Sequence, residues 1–125
     1  LIPIIEPEID IHCPEKKEAE KTLYGGLIER LDMLQTSQKV ILKLTLPEQN
    51  DLYYPCAEHK NVARVVALSG GYSREIANNR LAENRGVIAS FSRALTEGLS
   101  AGQSDEEFNT MLANSINEIY QASCS

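Results

Sequence analysis

The sequence predicts an α/β fold in which a parallel sheet is covered by helices. Three observations carry this. Short apolar runs begin near residues 1, 39, 62 and 86. Segments with apolar residues at helical spacing lie between and after them. Proline or glycine closes the first three runs. Strands alternating with helices, four times over, build a parallel sheet. Four such βα units are half of a (β/α)8 barrel, whose usual size is about 250 residues. A small, open, doubly wound sheet fits the same pattern.

Leu1-Ile2-Pro3-Ile4-Ile5-Glu6 reads as a core strand stopped by Pro7. From about Glu15 to Leu34 the chain is charged, with Leu23, Leu27, Leu31 and Leu34 at helical spacing. Gly25 and Gly26 weaken that helix by about 1 kcal/mol each relative to alanine. Lys39 to Leu46 is the second strand, ended by Pro47, and a short helix is expected around Asp51 to His59. Val62 to Ser69 is the third strand, closed by Gly70-Gly71; Ser73 can cap a helix running to about Asn84. Gly86 to Phe91 is the fourth strand, with a short helical segment after it. Ser104-Asp105-Glu106-Glu107 has capping-box form. The helix it opens carries Phe108, Met111, Leu112, Ser115, Ile116, Ile119 and Tyr120 on one stripe.

The 125 residues suffice for one domain with one core, and 42% hydrophobic and 24% charged residues are ordinary for a globular protein. A net charge of -6 with interspersed signs argues against a nucleic-acid surface. No apolar stretch approaches the roughly 20 residues of a membrane span. Cys13, Cys56 and Cys124 are odd in number and scattered, which suggests reduced thiols in a reducing compartment. With no initiator methionine and a core-like strand at Leu1, the chain is expected to begin in mid-protein. His12 and His59 fit no ligand spacing and read as solvated; Arg64 and Arg74 are given no role.

Lys43 stands inside the apolar run Val40-Ile41-Leu42-Lys43-Leu44-Thr45-Leu46. A lysine there is either desolvated or paired, and desolvation favours the neutral, nucleophilic amine. Strand alternation puts Ile41, Lys43 and Thr45 on one face and Val40, Leu42, Leu44 and Leu46 on the other. The aliphatic face should pack on helices and the mixed face should point into a barrel. Ile2, Ile4, Glu6 and Glu8 share a parity on the first strand, as do Ala63, Val65, Ala67 and Ser69 on the third. Chemistry in barrels sits at the C-terminal ends of strands. There, Glu6 and Glu8 can form a carboxylate pair suited to proton transfer. Ser69, Gly70 and Gly71, ahead of a helix start, can form an anion nest. Arg93 offers a planar cationic fork for phosphate. These residues alone describe a phosphate-binding α/β protein with a candidate reactive lysine.

Four stretches, in order and spacing, resemble class I fructose-bisphosphate aldolase of the shorter bacterial type. They are Leu1 to Glu8, Val40 to Thr45, Val65 to Glu75 and Ala89 to Leu95. Leu44-Thr45 and Ser92 stand where vertebrate-type enzymes have Pro-Asn and glycine. The resemblance implies that residues 1–125 are the C-terminal half of a single barrel domain, strands five to eight, with the N-terminal half absent. It implies a cytoplasmic lyase of glycolysis that needs no metal or other cofactor. Its partners would be a sugar bisphosphate and triose phosphates, with no nucleic acid and no membrane, in a homo-oligomeric parent enzyme. Lys43 would be the Schiff-base lysine, Glu6 the proton-transfer acid and Glu8 its support. Ser69, Gly70 and Gly71, with Ser92 and Arg93, would hold a substrate phosphate. A half site is expected to show little or no turnover alone. Competing expectations are another Schiff-base lyase or a transaldolase, and a non-catalytic phosphate-binding half barrel.

Overall fold

A computed structural model describes residues 1–125. The elements are β1 (Ile4–Ile5), α1 (Lys16–Asp32), β2 (Val40–Thr45), α2 (Tyr54–Ala57), β3 (Val62–Leu68), α3 (Arg74–Ala82), β4 (Val87–Ala89), α4 (Arg93–Thr96) and α5 (Asp105–Ala122). The four strands are parallel and lie in the order β1-β2-β3-β4. A doubly wound sheet reverses its strand order at a switch point. This sheet never reverses, so right-handed crossovers carry every helix to the same face. That is the winding of a barrel, and four such units are consistent with half of one.

Register defines the two faces. Leu42 and Leu44 stand beside Val65 and Ala67, and Val65 beside Val87. All five are buried in one cluster with Leu31 of α1, Ala77 and Leu81 of α3 and Ala122 of α5. The aliphatic face of β2 therefore packs on helices, as its alternation predicts. The other face carries Ile4, Ile41, Lys43, Val66 and Ile88 and keeps partial or full exposure. No layer covers it.

Two sequence expectations change here. Val65 and Ala67 belong to the helix side, so the parity that shares the Lys43 face on β3 is Arg64, Val66 and Leu68. The cause is a register shift: Val40 pairs with Val62 but Ile41 pairs with Arg64, leaving Ala63 as an extra residue. The N-terminal run is also not a core strand. Ile4 and Ile5 are 50% and 44% exposed, because β1 is an edge strand with an open face.

Helix termini follow the sequence closely. Ser73 Oγ accepts from the Ile76 N–H at the start of α3. Ser104 and Glu107 form the full capping box of α5. The apolar stripe of α5 is only partly used. Ser115 is buried and Met111, Leu112 and Ile119 are half-buried, but Phe108, Ile116 and Tyr120 are exposed. β4 is the second sheet edge, and nothing lies beyond it to cover them.

Arg74 has a role the sequence did not suggest. Its guanidinium donates to the Ala94 and Glu97 carbonyls and to Glu118 Oε2, joining the start of α3 to α4 and α5. His59 is not solvated either. Its ring is 3.2 Å from Asp32 and accepts from the Asn61 N–H, and only 11% of the side chain is exposed.

Candidate active site

All four strands end at the same rim, and their exits form one polar pocket. Glu6 and Glu8 reach it from the β1 exit and Lys43 from within β2. Leu68, Ser69 and Gly70 reach it from the β3 exit, and Ser90, Ser92 and Arg93 from the β4 exit. Residues up to 87 positions apart in the sequence thus meet because the strands are parallel and in sequential order.

Lys43 Nζ lies 3.1 Å from Glu6 Oε2. Of the two conditions open to a mid-strand lysine, this structure selects pairing. Desolvation is incomplete, since the Lys43 side chain is 29% exposed and that of Glu6 49%. The reason is the uncovered sheet face, which leaves water on one side of the pair.

The β3 exit is built around a tight turn. Tyr72 N–H donates to the Ser69 carbonyl at 3.0 Å, and Gly70 and Gly71 both take positive φ, 63° and 108°. A Cβ on Gly70 would fall 2.8 Å from Ile11 Cγ2 and 3.4 Å from Leu68 Cδ1. Space and backbone conformation together demand glycine there. Successive N–H groups in such a turn, next to the start of α3, suit an anion. Gly71 stands just behind the pocket: a side chain on it would come 3.9 Å from Arg93 Nη1. Arg93 and Ser92 are exposed, and Ser69 is buried.

The sequence did not single out Ser90, which Ala67 holds in place by accepting from its N–H at 2.8 Å. It also missed a charged cluster behind the β2 exit. Lys16 Nζ is hydrogen-bonded to Glu20 Oε1 and donates to the Leu46 carbonyl at 2.8 Å. Glu20 Oε2 accepts from the Glu48 N–H at 2.9 Å. Glu48 in turn meets Lys16, Arg80 and the Tyr72 hydroxyl. Partial desolvation opposes ionisation of Glu48, but the charges of Arg80 and Lys16 outweigh it and hold the carboxyl below its usual range. Arg80 also stacks on the Tyr72 ring, 4.7 Å from its centre. The only sequence signal was a cation at the first turn of a helix, where the macrodipole disfavours it. No three His, Cys, Asp or Glu side chains are grouped to hold a metal ion. No helix is long and apolar enough to cross a membrane.

The chain is 65% identical over 123 residues to the class 1 fructose-bisphosphate aldolase of Synechocystis sp., covering 98% of this chain and 41% of that protein. It is 57% identical over 123 residues to the corresponding enzyme of Porphyromonas gingivalis, with the same coverage. Against that of Clostridium acetobutylicum it is 51% identical, over 98% of this chain and 42% of that protein. The chain therefore spans about two fifths of the length of the relatives it matches. No protein-family model matches it.

Proposed function

We propose that this homologue of class I fructose-bisphosphate aldolases carries the Schiff-base portion of an aldolase site, as strands five to eight of a (β/α)8 barrel. The substrate is fructose 1,6-bisphosphate, cleaved reversibly to dihydroxyacetone phosphate and glyceraldehyde 3-phosphate. The observation that carries the reading is the 3.1 Å contact between Lys43 and Glu6 at the mouth of a pocket that also holds the glycine turn and Arg93.

Lys43 passes a proton to Glu6 and, as a neutral amine, adds to the ketone carbon of the sugar. Glu6 then protonates the carbinolamine hydroxyl, which leaves as water, and an iminium forms on Lys43. A base removes the proton of the C4 hydroxyl as the C3–C4 bond breaks. The bonding pair moves into the iminium to give an enamine, and glyceraldehyde 3-phosphate departs. Protonation at C3 and hydrolysis release dihydroxyacetone phosphate and regenerate the amine. Glu8 supports Glu6 electrostatically. The turn at Ser69, Gly70 and Gly71, with Ser92 and Arg93, holds the phosphate nearest the ketone.

This pocket supplies one phosphate cradle for a substrate with two phosphates. The chain alone is therefore expected to bind and trap dihydroxyacetone phosphate but to cleave the bisphosphate little or not at all. Incubation with dihydroxyacetone phosphate and borohydride should attach one reduced adduct, located by peptide mass spectrometry at Lys43 and absent from Lys43→Ala. Adducts confined to exposed lysines, or undiminished in Lys43→Ala, would remove the reading. They would leave a phosphate-binding sheet in which Lys43 and Glu6 are merely an ion pair.

A further inference from the structure

We infer that Lys16 and Glu20 are positioning residues that clamp the β2 exit to the β1 exit and so hold Lys43 against Glu6. The inference rests on the reading of Lys43 as the reactive amine. Strand pairing stops at Thr45, yet the chain runs on through Leu46, Pro47 and Glu48. Backbone groups beyond the ladder need other partners. Side chains supply them for three consecutive residues. Lys16 Nζ donates to Leu46 O at 2.8 Å, Arg80 Nη1 to Pro47 O at 3.1 Å, and Glu20 Oε2 accepts from Glu48 N at 2.9 Å.

Lys16 and Glu20 are the most enclosed members of this set, 3% and 0% exposed. A buried ion pair stabilises a fold no better than well-packed apolar side chains of similar volume. A cation in the first turn of a helix works against the macrodipole as well. Neither feature is explained by stability, but together they place one donor and one acceptor where they grip two separate backbone groups of the β2 exit.

The grip joins the two segments that matter. Lys16 opens α1, which the chain reaches from β1 through the segment bearing Glu6 and Glu8. A second link closes the same gap: Ile9 N–H donates to Thr45 Oγ1 at 2.9 Å. Lys43 lies two residues before Thr45 and three before Leu46. With both links made, the β1 and β2 exits cannot drift apart, and proton transfer between Lys43 and Glu6 needs their contact. Lys16 touches neither and acts through Leu46.

The clamp is tested by how fast an amine-reactive acetylating reagent labels Lys43, read peptide by peptide as a ratio to the exposed Lys17 and Lys60. Glu6→Gln gives the reference for a released Lys43. The double variant Lys16→Met/Glu20→Leu keeps apolar volume while deleting both grips, and its Lys43 ratio should rise about tenfold, the worth of a hydrogen bond to a charged group. Lys16→Arg, which can still donate to Leu46 O and Glu20, should stay at the unaltered ratio. If the double variant unfolds, so that all lysines label alike, Glu20→Gln decides, because it keeps its size and loses one acceptor. A rise of severalfold is expected. An unchanged Lys43 ratio in a folded variant overturns the inference. Borohydride trapping on the unaltered chain is the separate arm: its failure removes the reactive-amine reading and leaves the labelling ratio to judge the clamp.

Discussion

Cys56 is fully enclosed, and burial pushes its thiol up to about 11 from an ordinary value of 9. The folded state thus prefers the protonated thiol. Its contribution to stability is complete below 9 and is lost as pH rises from 9 through 11. The Tyr53 hydroxyl, also driven up by burial, adds to the same alkaline loss at higher pH. Thermal unfolding midpoints should therefore fall between pH 9 and 11, and less steeply in Cys56→Ala, whose remaining slope reports Tyr53 together with Tyr72, whose hydroxyl burial also pushes up. An alkaline profile identical in both proteins would contradict this. A thiol reagent should modify exposed Cys124 at once and Cys56 only on unfolding. At this scale the sequence was most legible within and just after the strands. Lys43 betrayed itself by charge inside an apolar run, and Gly70 by its place after a strand. Lys16 and Glu20 stayed hidden because four-residue spacing of opposite charges on a helix ordinarily marks a solvated pair. His59 stayed hidden because its partner, Asp32, comes from a distant helix end.

The helices were placed by chemistry that a short window of sequence contains. Ser73 and Ser104 cap α3 and α5 as their following residues require. The stripe on α5 was also correctly located, but a stripe does not say whether anything covers it. Its exposure depends on what lies beyond β4, and no local pattern encodes that. The same reasoning separates two kinds of glycine. Gly70 is compelled by φ and by Ile11, whereas Gly25 and Gly26 sit within α1 with nothing within 4 Å of a Cβ built on them. They impose only the entropic cost of glycine in a helix. Gly25→Ala and Gly26→Ala should each stabilise the chain by about 0.5–1 kcal/mol. Urea unfolding midpoints at unchanged slope would show this, and a loss of stability in either variant would refute it.

At the scale of the whole molecule, strand count and alternation were readable from pattern, whereas the choice of a singly over a doubly wound sheet came from the family resemblance, because periodicity leaves it open. It rests on which strands are neighbours, a matter of tertiary pairing. The sequential order β1-β2-β3-β4 leaves two parallel edges and one bare face. Ile4 and Ile5 lie at one edge. Ile88, Leu95, Ile116 and Tyr120 line a groove at the other. Unpaired edges flanked by exposed apolar side chains recruit further strands, and natural sheets blunt such edges with charge, lysine above all. Here β1 carries isoleucines where that protection would stand. The chain alone should therefore self-associate: scattering mass should climb with concentration, and a hydrophobic dye should bind without denaturant. Ile4→Lys combined with Ile116→Lys should reverse both by charging one edge and the groove of the other, while leaving the helix-side core untouched. A concentration-independent monomer that binds no dye would mean that the open face is not adhesive.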